Sequence, residues 1–193
     1  MEIKGKIIYG GAFNPPTIAH KRIGKYLIDN YKDIELIYLP TNSFYNKDEL
    51  ASFTDRFEMT KLLVKDLDNV EVSDYEGKDH KFSGTYYTLQ YFNHPLFVIG
   101  ADSLANLPNW IRGNELIKEN NFIVFPRKNY DLDLIFKNEI LNQYKDHFIV
   151  LKDYKEDDVS STNYRNYKDE MLLTEEVKKY IKEKGLYRWF YVR

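Results

Sequence analysis

The 193-residue chain contains no cysteine, which excludes disulfides, thiolate nucleophiles and metal sites built from cysteine. No apolar run approaches the roughly 18 residues that a membrane-spanning helix needs. The first residues, MEIKGKII, also lack the pattern of a secretory signal. We therefore expect a cytoplasmic protein that does not associate with membranes.

An excess of charge of either sign is missing as well. The chain has 28 basic and 30 acidic residues, which gives a formal net charge of −2. A general nucleic-acid-binding protein would normally have a basic excess or a basic stripe. The balance of charge therefore predicts that nucleic acid is not a partner.

Several common fingerprints are absent. There is no G-x-G-x-x-G and no G-x-x-x-x-G-K-[ST], so neither a dinucleotide fingerprint nor a P-loop is present. No serine lies in a G-x-S-x-G turn, and no His/Asp/Glu spacing indicates a dedicated metal site. A nucleotide site, if there is one, has to be built in another way.

What the chain does contain is an alternation of short β-branched or aromatic runs with helical patterns. The strand-like runs are 6–9, 34–39, 70–72, 96–99, 122–125 and 147–151; the helical patterns are 18–31, 53–65, 85–92, 113–119, 132–144 and 174–184. This alternation predicts one α/β domain over residues 1–193, with a parallel sheet covered by helices on both faces. Residues 158–187 are its helical end, and residues 188–193 form an aromatic tail.

The connections that follow the strands are expected to carry the site, because ligands bind beyond the carboxyl ends of parallel strands. The first of them is YGGAFNPPTIAH, residues 9–20. Gly10 and Gly11 let the backbone bend sharply before a helix whose amides can face an anion. Thr17 and His20 are three residues apart, so they share a face near the start of that helix and could both donate to one phosphate.

Two further segments indicate nucleotide chemistry. Residues 159–165, VSSTNYR, form a hydroxyl-rich helix start with Arg165 one turn further on, which suits triphosphate oxygens. Residues 97–110, FVIGADSLANLPNW, place Gly100 and Asp102 at a strand end, ahead of Trp110. Each segment also has an ordinary explanation, namely helix capping and a packed aromatic residue.

Taken together, these segments resemble the nucleotidylyltransferase superfamily. Thr17 and His20 match its T/H-x-x-H signature, and residues 160–165 match S-S-T-x-x-R. The segment that ends at Trp110, with SGTYYTL (83–89) and VKKYIKEKGLY (177–187), is similar to the bacterial nicotinate-nucleotide adenylyltransferases. The resemblance covers roughly residues 5–187 and implies a Rossmann-like, doubly wound parallel sheet.

The resemblance also implies a reaction and a set of roles. The phosphate of nicotinate mononucleotide would attack the α-phosphorus of ATP, and Mg²⁺ would bind mainly through the ATP phosphates. His20, Thr17 and Arg165 would be catalytic. The ATP-binding residues would be Gly10, Gly11, Phe13, Lys47, Ser161 and Thr162. The residues that bind the nicotinate nucleotide would be Thr85, Gly100, Asp102 and Trp110.

Two departures from the family pattern keep alternatives open. Many members have histidine where this chain has Thr17, and the loop around Lys47 lacks the usual prolines and histidine. The same adenylyl transfer on another acceptor, such as nicotinamide mononucleotide or phosphopantetheine, is one alternative. A nucleotide-binding sensor without catalysis is another. The aromatic tail suggests a possible homo-oligomer.

Overall fold

The computed structural model describes residues 2–43, 50–78, 84–155 and 160–187. The strands are β1 (Gly5–Gly11), β2 (Ile34–Pro40), β3 (Val70–Val72), β4 (Leu96–Gly100), β5 (Phe122–Phe125) and β6 (Phe148–Val150). The helices are α1 (Ile18–Asn30), α2 (Phe53–Val64), α3 (Tyr75–Lys78), α4 (Thr85–Tyr91), α5 (Ala101–Asn106), α6 (Gly113–Glu119), α7 (Leu132–Ile135), α8 (Glu139–Gln143), α9 (Ser161–Tyr167) and α10 (Glu175–Lys184).

The six strands form one parallel sheet in the order β3-β2-β1-β4-β5-β6. The chain winds outward from β1 to β3, returns to the centre, and winds outward again from β4 to β6. The strand order therefore reverses between β1 and β4, and a doubly wound sheet has its ligand crevice at such a point. The predicted Rossmann-like α/β fold is confirmed.

Each face of the sheet carries its own hydrophobic core, because successive side chains of a strand point to opposite faces. Ile7 and Tyr9 of β1 face a core completed by α1, α2 and α10, whereas Ile8 faces a core completed by α4, α5 and α6. Helices thus cover both faces, as the strand–helix alternation predicts.

Three segments differ from the sequence expectations, and the first is α3, which forms where no helix is predicted. The single helix predicted over 132–144 is two short helices, α7 and α8, and α5 begins directly after β4, where no helix is predicted. Pro108 lies in the first turn of a short 3₁₀ helix, where no backbone donor is required. None of the helices in the described ranges combines the length and the apolar content that a membrane span needs.

Candidate active site

A pocket of about 330 Å³ opens at the carboxyl ends of β1 and β4, where the strand order reverses. Its volume lies within the range of roughly 300–1,000 Å³ that small-molecule sites occupy. Among the residues predicted from the sequence, those that line it are Gly10, Gly11, His20, Thr85, Gly100, Asp102 and Trp110. Residues more than 90 positions apart in sequence thus meet in one cleft.

The end of β1 is shaped by its two glycines. A Cβ on Gly10 would lie 2.8 Å from the Phe97 ring, and one on Gly11 would lie 3.2 Å from the Phe13 ring. Both distances are shorter than an ordinary carbon–carbon contact, so a side chain at either position would have to displace a ring. The two glycines therefore let the end of β1 lie close to these rings.

His20 is held at the pocket wall by the start of α1. It is the third residue of the helix, and Thr17 is the N-cap. The backbone N–H of Thr17 donates to His20 Nδ1 at 2.9 Å, and the Thr17 hydroxyl lies 2.8 Å from the same nitrogen. Because a backbone amide can only donate, Nδ1 must be the acceptor, and the neutral ring carries its proton on Nε2.

The surroundings keep this imidazole neutral. Burial, followed by the positive charge of Arg127, lowers the pKa of His20 from 6.5 to about 3. Aromatic rings surround the imidazole, with the Phe13 centroid at 5.1 Å and the Tyr9 centroid at 6.2 Å. His20 can therefore donate a hydrogen bond from Nε2 near neutral pH without being charged.

This lowered pKa predicts a pH dependence of stability. Between about pH 6.5 and pH 3 the unfolded chain binds a proton at His20 that the folded chain does not, so acidification destabilises the fold. The free energy of unfolding should fall with a His20 contribution of up to about 1.4 kcal/mol per pH unit. Urea unfolding at neutral pH and at about pH 5 should show a steeper loss for the wild type than for His20→Gln. Equal losses of unfolding free energy in the two proteins would contradict a lowered pKa of His20.

Two of the predicted residues are buried beside the pocket and do not line it. Thr17 is fully buried, and its hydroxyl contacts His20 Nδ1. Phe13 is 1% exposed and packs against the rings of Tyr9 and Tyr38. The expectation that Thr17 and His20 face one phosphate side by side is therefore replaced by an arrangement in which Thr17 lies behind His20.

The second predicted signature docks on the turn that leads into α1. Ser161 Oγ donates to the Pro15 carbonyl, and Arg165 Nη1 donates to the Asn14 carbonyl, both at 2.8 Å. Arg165 Nη2 lies 3.4 Å from Thr162 Oγ1. These residues therefore contact the turn that leads to His20, but none of the three lines the pocket. Lys47 lies outside the described residues.

Comparison with known proteins agrees with this geometry. The cytidylyltransferase-like family model matches residues 8–167, which contain the pocket residues and both signatures. The chain belongs to the cytidylyltransferase-like family.

Relatives within the family carry a more specific name. A probable nicotinate-nucleotide adenylyltransferase of Acholeplasma laidlawii is 34% identical over 188 residues, which cover 94% of this chain and 96% of that protein. One from Clostridium acetobutylicum is 35% identical over 172 residues, which cover 84% and 86%. The predicted resemblance to the nicotinate-nucleotide adenylyltransferases is confirmed.

A solved structure has the same fold as this chain. The Plasmodium falciparum nicotinic acid mononucleotide adenylyltransferase, complexed with NaAD, superposes with a TM-score of 0.73 and covers 96% of this chain and 98% of its own. The two sequences are 21% identical, so the likeness establishes the fold alone.

One charged residue that lines the pocket of this chain, Arg127, is not predicted from the sequence. It follows Pro126 at the end of β5, and its Nε lies 3.5 Å from Asp102 Oδ1. A Cβ on Gly100 would collide with that carboxylate and lie 3.0 Å from Arg127 Nε, so the glycine leaves room for the pair. The available signal was an arginine immediately after a strand whose carboxyl end faces the site.

Arg56 and Tyr187, which the sequence analysis does not predict either, hold the turn after β1 in place. Arg56 is fully buried and donates to the carbonyls of Ala12, Thr41 and Ala51 at 2.8, 2.8 and 3.1 Å. The Tyr187 hydroxyl donates to Asn14 Oδ1 at 2.8 Å. These contacts tie the turn after β1 to α2 and to the end of α10, and no local sequence pattern predicts them.

Proposed function

We propose that this protein transfers the adenylyl group of ATP to nicotinate mononucleotide, giving nicotinate adenine dinucleotide and pyrophosphate, a step of NAD biosynthesis. The observation that carries the proposal is the pocket at the strand-order reversal, which joins His20 of the first signature to Asp102 and Trp110 of the nicotinate branch. Relatives that match nearly the whole chain bear the corresponding name.

The reaction requires alignment and charge neutralisation more than proton transfer. A phosphate oxygen of the mononucleotide forms a bond to the α-phosphorus of ATP, and the bond from that phosphorus to the β-bridging oxygen breaks. Pyrophosphate leaves with the electron pair. The attacking oxygen is already anionic near neutral pH, so a general base is not needed and no covalent enzyme intermediate is formed.

His20 supplies a hydrogen bond to the α-phosphate from Nε2. In the described part of the chain no hydrogen bond occupies Nε2, whereas Nδ1 is held by Thr17. A donor that is fixed before the substrate arrives stabilises the charge that develops in the transition state without reorganisation. Thr17 serves the reaction by positioning this ring, and it does so from a buried site without touching the substrate.

The remaining contacts to the triphosphate come from the second signature, residues 160–165. Ser161 and Thr162 begin α9 and Arg165 lies in its last turn. Ser161 is tied to the Pro15 carbonyl of the turn after β1, so the Thr162 hydroxyl and the Arg165 guanidinium are the groups that can meet the β- and γ-phosphates. The backbone at Gly10 and Gly11 and the ring of Phe13 shape the adjoining ATP site. Lys47 stays a predicted phosphate contact outside the described residues.

Mg²⁺ would accompany ATP in this scheme. The described residues contain no group of three or more His, Asp or Glu side chains that could hold a metal ion. Mg²⁺ is commonly bound through substrate phosphates and water with few protein ligands, which fits this donor set. When bound, the ion supplies charge neutralisation on the triphosphate.

The nicotinate nucleotide occupies the part of the pocket formed by β4 and the segments that follow it. Trp110 is half-buried in the pocket wall and can stack on the pyridine ring. Thr85, at the start of α4, and the amide after Trp110 meet the carboxylate. Asp102, which follows Gly100 at the end of β4, meets ribose hydroxyls.

Removal of the Trp110 ring should weaken binding of the acceptor nucleotide more than binding of ATP. Stacking on an aromatic side chain is worth about 1–3 kcal/mol per base, so Trp110→Ala should raise the KM for the mononucleotide roughly tenfold. Trp110→Phe keeps an aromatic ring, so its KM for the mononucleotide should stay near that of the wild type. Steady-state kinetics with each substrate varied in turn measures both constants. Equal increases in the two KM values would show that Trp110 is structural.

Pyrophosphate release with ATP and a panel of acceptors tests the function. We expect nicotinate mononucleotide to be preferred over nicotinamide mononucleotide and phosphopantetheine. Preference for another acceptor would establish that transfer instead, and ATP binding without turnover on the whole panel would indicate a sensor. A homo-oligomer and a cytoplasmic location stay predictions; the tail, residues 188–193, lies outside the described residues.

A further inference from the structure

Glu76 of α3 is a buried residue whose two carboxylate oxygens hold two different segments. It is 3% exposed, and a glutamate is almost never buried to that extent unless it is paired. Its Oε2 accepts from the backbone N–H of Asn42 at 2.8 Å, and its Oε1 accepts from the Thr88 hydroxyl at 3.0 Å. The Asn42 side chain donates in turn to the Glu76 carbonyl at 2.6 Å. Glu76 therefore links the segment after β2 to α4.

The segment after β2 is a fixed support on one side of this link. Thr41, which lines the pocket, donates from its backbone N–H to the Gly11 carbonyl at 2.9 Å. The Thr41 carbonyl accepts from Arg56 Nη2 at 2.8 Å, and Asn42 follows directly in the chain. The segment is thus tied to the end of β1 and to α2 as well as to Glu76.

On its other side the link reaches the helix that carries Thr85. Thr85 begins α4 and lines the pocket, and Thr88 lies three residues later, so the two side chains share one side of the helix. Both residues are buried. A displacement of α4 that broke the contact between Thr88 and Glu76 would therefore also displace Thr85 in the pocket wall.

We propose that Glu76 is a positioning residue: it holds α4 against the segment after β2 and thereby sets where Thr85 meets the nicotinate carboxylate. This inference rests on the proposed function and adds the support on which recognition of that carboxylate depends. A carboxylate suits this role because both of its oxygens accept hydrogen bonds, so that one side chain fixes a backbone amide and a hydroxyl at once. Glu76 acts from behind the wall and does not line the pocket itself.

Thr88→Val tests the link, because valine has nearly the shape of threonine but lacks the hydroxyl that donates to Glu76. A hydrogen bond to a charged group is worth about tenfold or more in an equilibrium constant, and part of that effect reaches the substrate. The KM for nicotinate mononucleotide should therefore rise about three- to tenfold, while kcat and the KM for ATP change by less than about twofold. Thr88→Ser keeps the hydroxyl and should recover most of the loss. An unchanged acceptor KM in Thr88→Val would overturn the proposal.

Thr60 gives a matched control. It is also a fully buried threonine, and its hydroxyl donates to the Arg56 carbonyl at 2.7 Å within α2. Thr60→Val therefore makes the same chemical change at a position that does not line the pocket, and it should leave both KM values unchanged. An equal rise of the acceptor KM in the two valine variants would indicate a general effect of losing a buried hydroxyl and would overturn the assignment.

A double-mutant cycle shows whether Thr88 acts through Glu76. Glu76→Ala removes the link, so adding Thr88→Val to it should raise the acceptor KM no further. Additive effects of the two substitutions would show that Thr88 acts by another route and would overturn the role of Glu76. If Glu76→Ala does not fold, the comparison of the Thr88 variants with Thr60→Val decides alone.

A binding measurement separates this inference from the proposed function. Calorimetric titration with nicotinate and nicotinamide mononucleotides, without ATP, measures binding alone. Thr88→Val should weaken binding of the nicotinate form more, because Thr85 meets the carboxylate; an equal loss for both forms would overturn the proposal. A wild type that binds nicotinate mononucleotide but transfers nothing to it would contradict the proposed function, while a selective loss of binding in Thr88→Val would still support Glu76 as a positioning residue.

Discussion

Replacing His20 with alanine should lower kcat by about 100- to 1,000-fold, because the loss of one fixed donor to a developing oxyanion typically has an effect of that size. The fold should persist. His20 is at the edge of the core, and its backbone carbonyl, which accepts from the Tyr38 hydroxyl at 2.7 Å, is kept in the variant. Initial-rate kinetics at saturating ATP and mononucleotide, with circular dichroism of the same samples, measures both.

His20→Gln and His20→Asn sharpen this test. A glutamine amide can place a neutral N–H near the position of Nε2, whereas an asparagine amide reaches only as far as Nδ1. Because we infer a neutral donor at Nε2, His20→Gln should retain more activity than His20→Asn or His20→Ala. Turnover close to the wild type in His20→Ala would remove His20 from the mechanism.

Arg56→Met should be the most destabilising of these substitutions. Burial lowers the pKa of Arg56 to about 10, so the side chain is still charged near neutral pH. Its removal leaves the carbonyls of Ala12, Thr41 and Ala51 without this donor inside the protein. Hydrogen bonds from a charged donor are worth about 1.5–3 kcal/mol each, so the loss of three of them should lower the free energy of unfolding by about 3 kcal/mol or more.

Lys61→Met is the control on the same helix. Lys61 is exposed and pairs with Glu58 at 3.3 Å, and such surface pairs contribute little, so the change should stay within about 0.5 kcal/mol. Urea unfolding of both variants and the wild type provides the comparison. Equal midpoints for Arg56→Met and Lys61→Met would show that the buried guanidinium does not hold the turn after β1.

The sheet and its covering helices could be predicted because they depend on local periodicity. The strand-like runs around Ile7 and Val98 and the helical spacing of Ile23 and Leu27 are visible in any short window. The division of 132–144 into two helices was missed although its signal is local. Asn138 caps α8 by accepting from the Leu141 amide at 3.3 Å, which starts a new helix inside a run whose apolar spacing continues.

The site was only partly predictable, for a different reason. Motifs indicate His20 and Arg165, but they do not say which group faces the ligand. The spacing between Thr17 and His20 is the same whether Thr17 binds a phosphate or supports His20. Only the burial of Thr17 in the structure distinguishes the two roles. Arg56 and Tyr187 act through carbonyl and amide oxygens of distant turns, up to 173 positions away, so no local pattern indicates them.

The central claim is that this chain transfers an adenylyl group to nicotinate mononucleotide. ATP labelled with radioactive phosphorus at the α position, incubated with the protein, Mg²⁺ and nicotinate mononucleotide, tests it directly when the products are separated by chromatography. The account predicts that the label appears in nicotinate adenine dinucleotide, in equal amount to unlabelled pyrophosphate. Label that stays in ATP, or that appears in AMP without any dinucleotide, would contradict it.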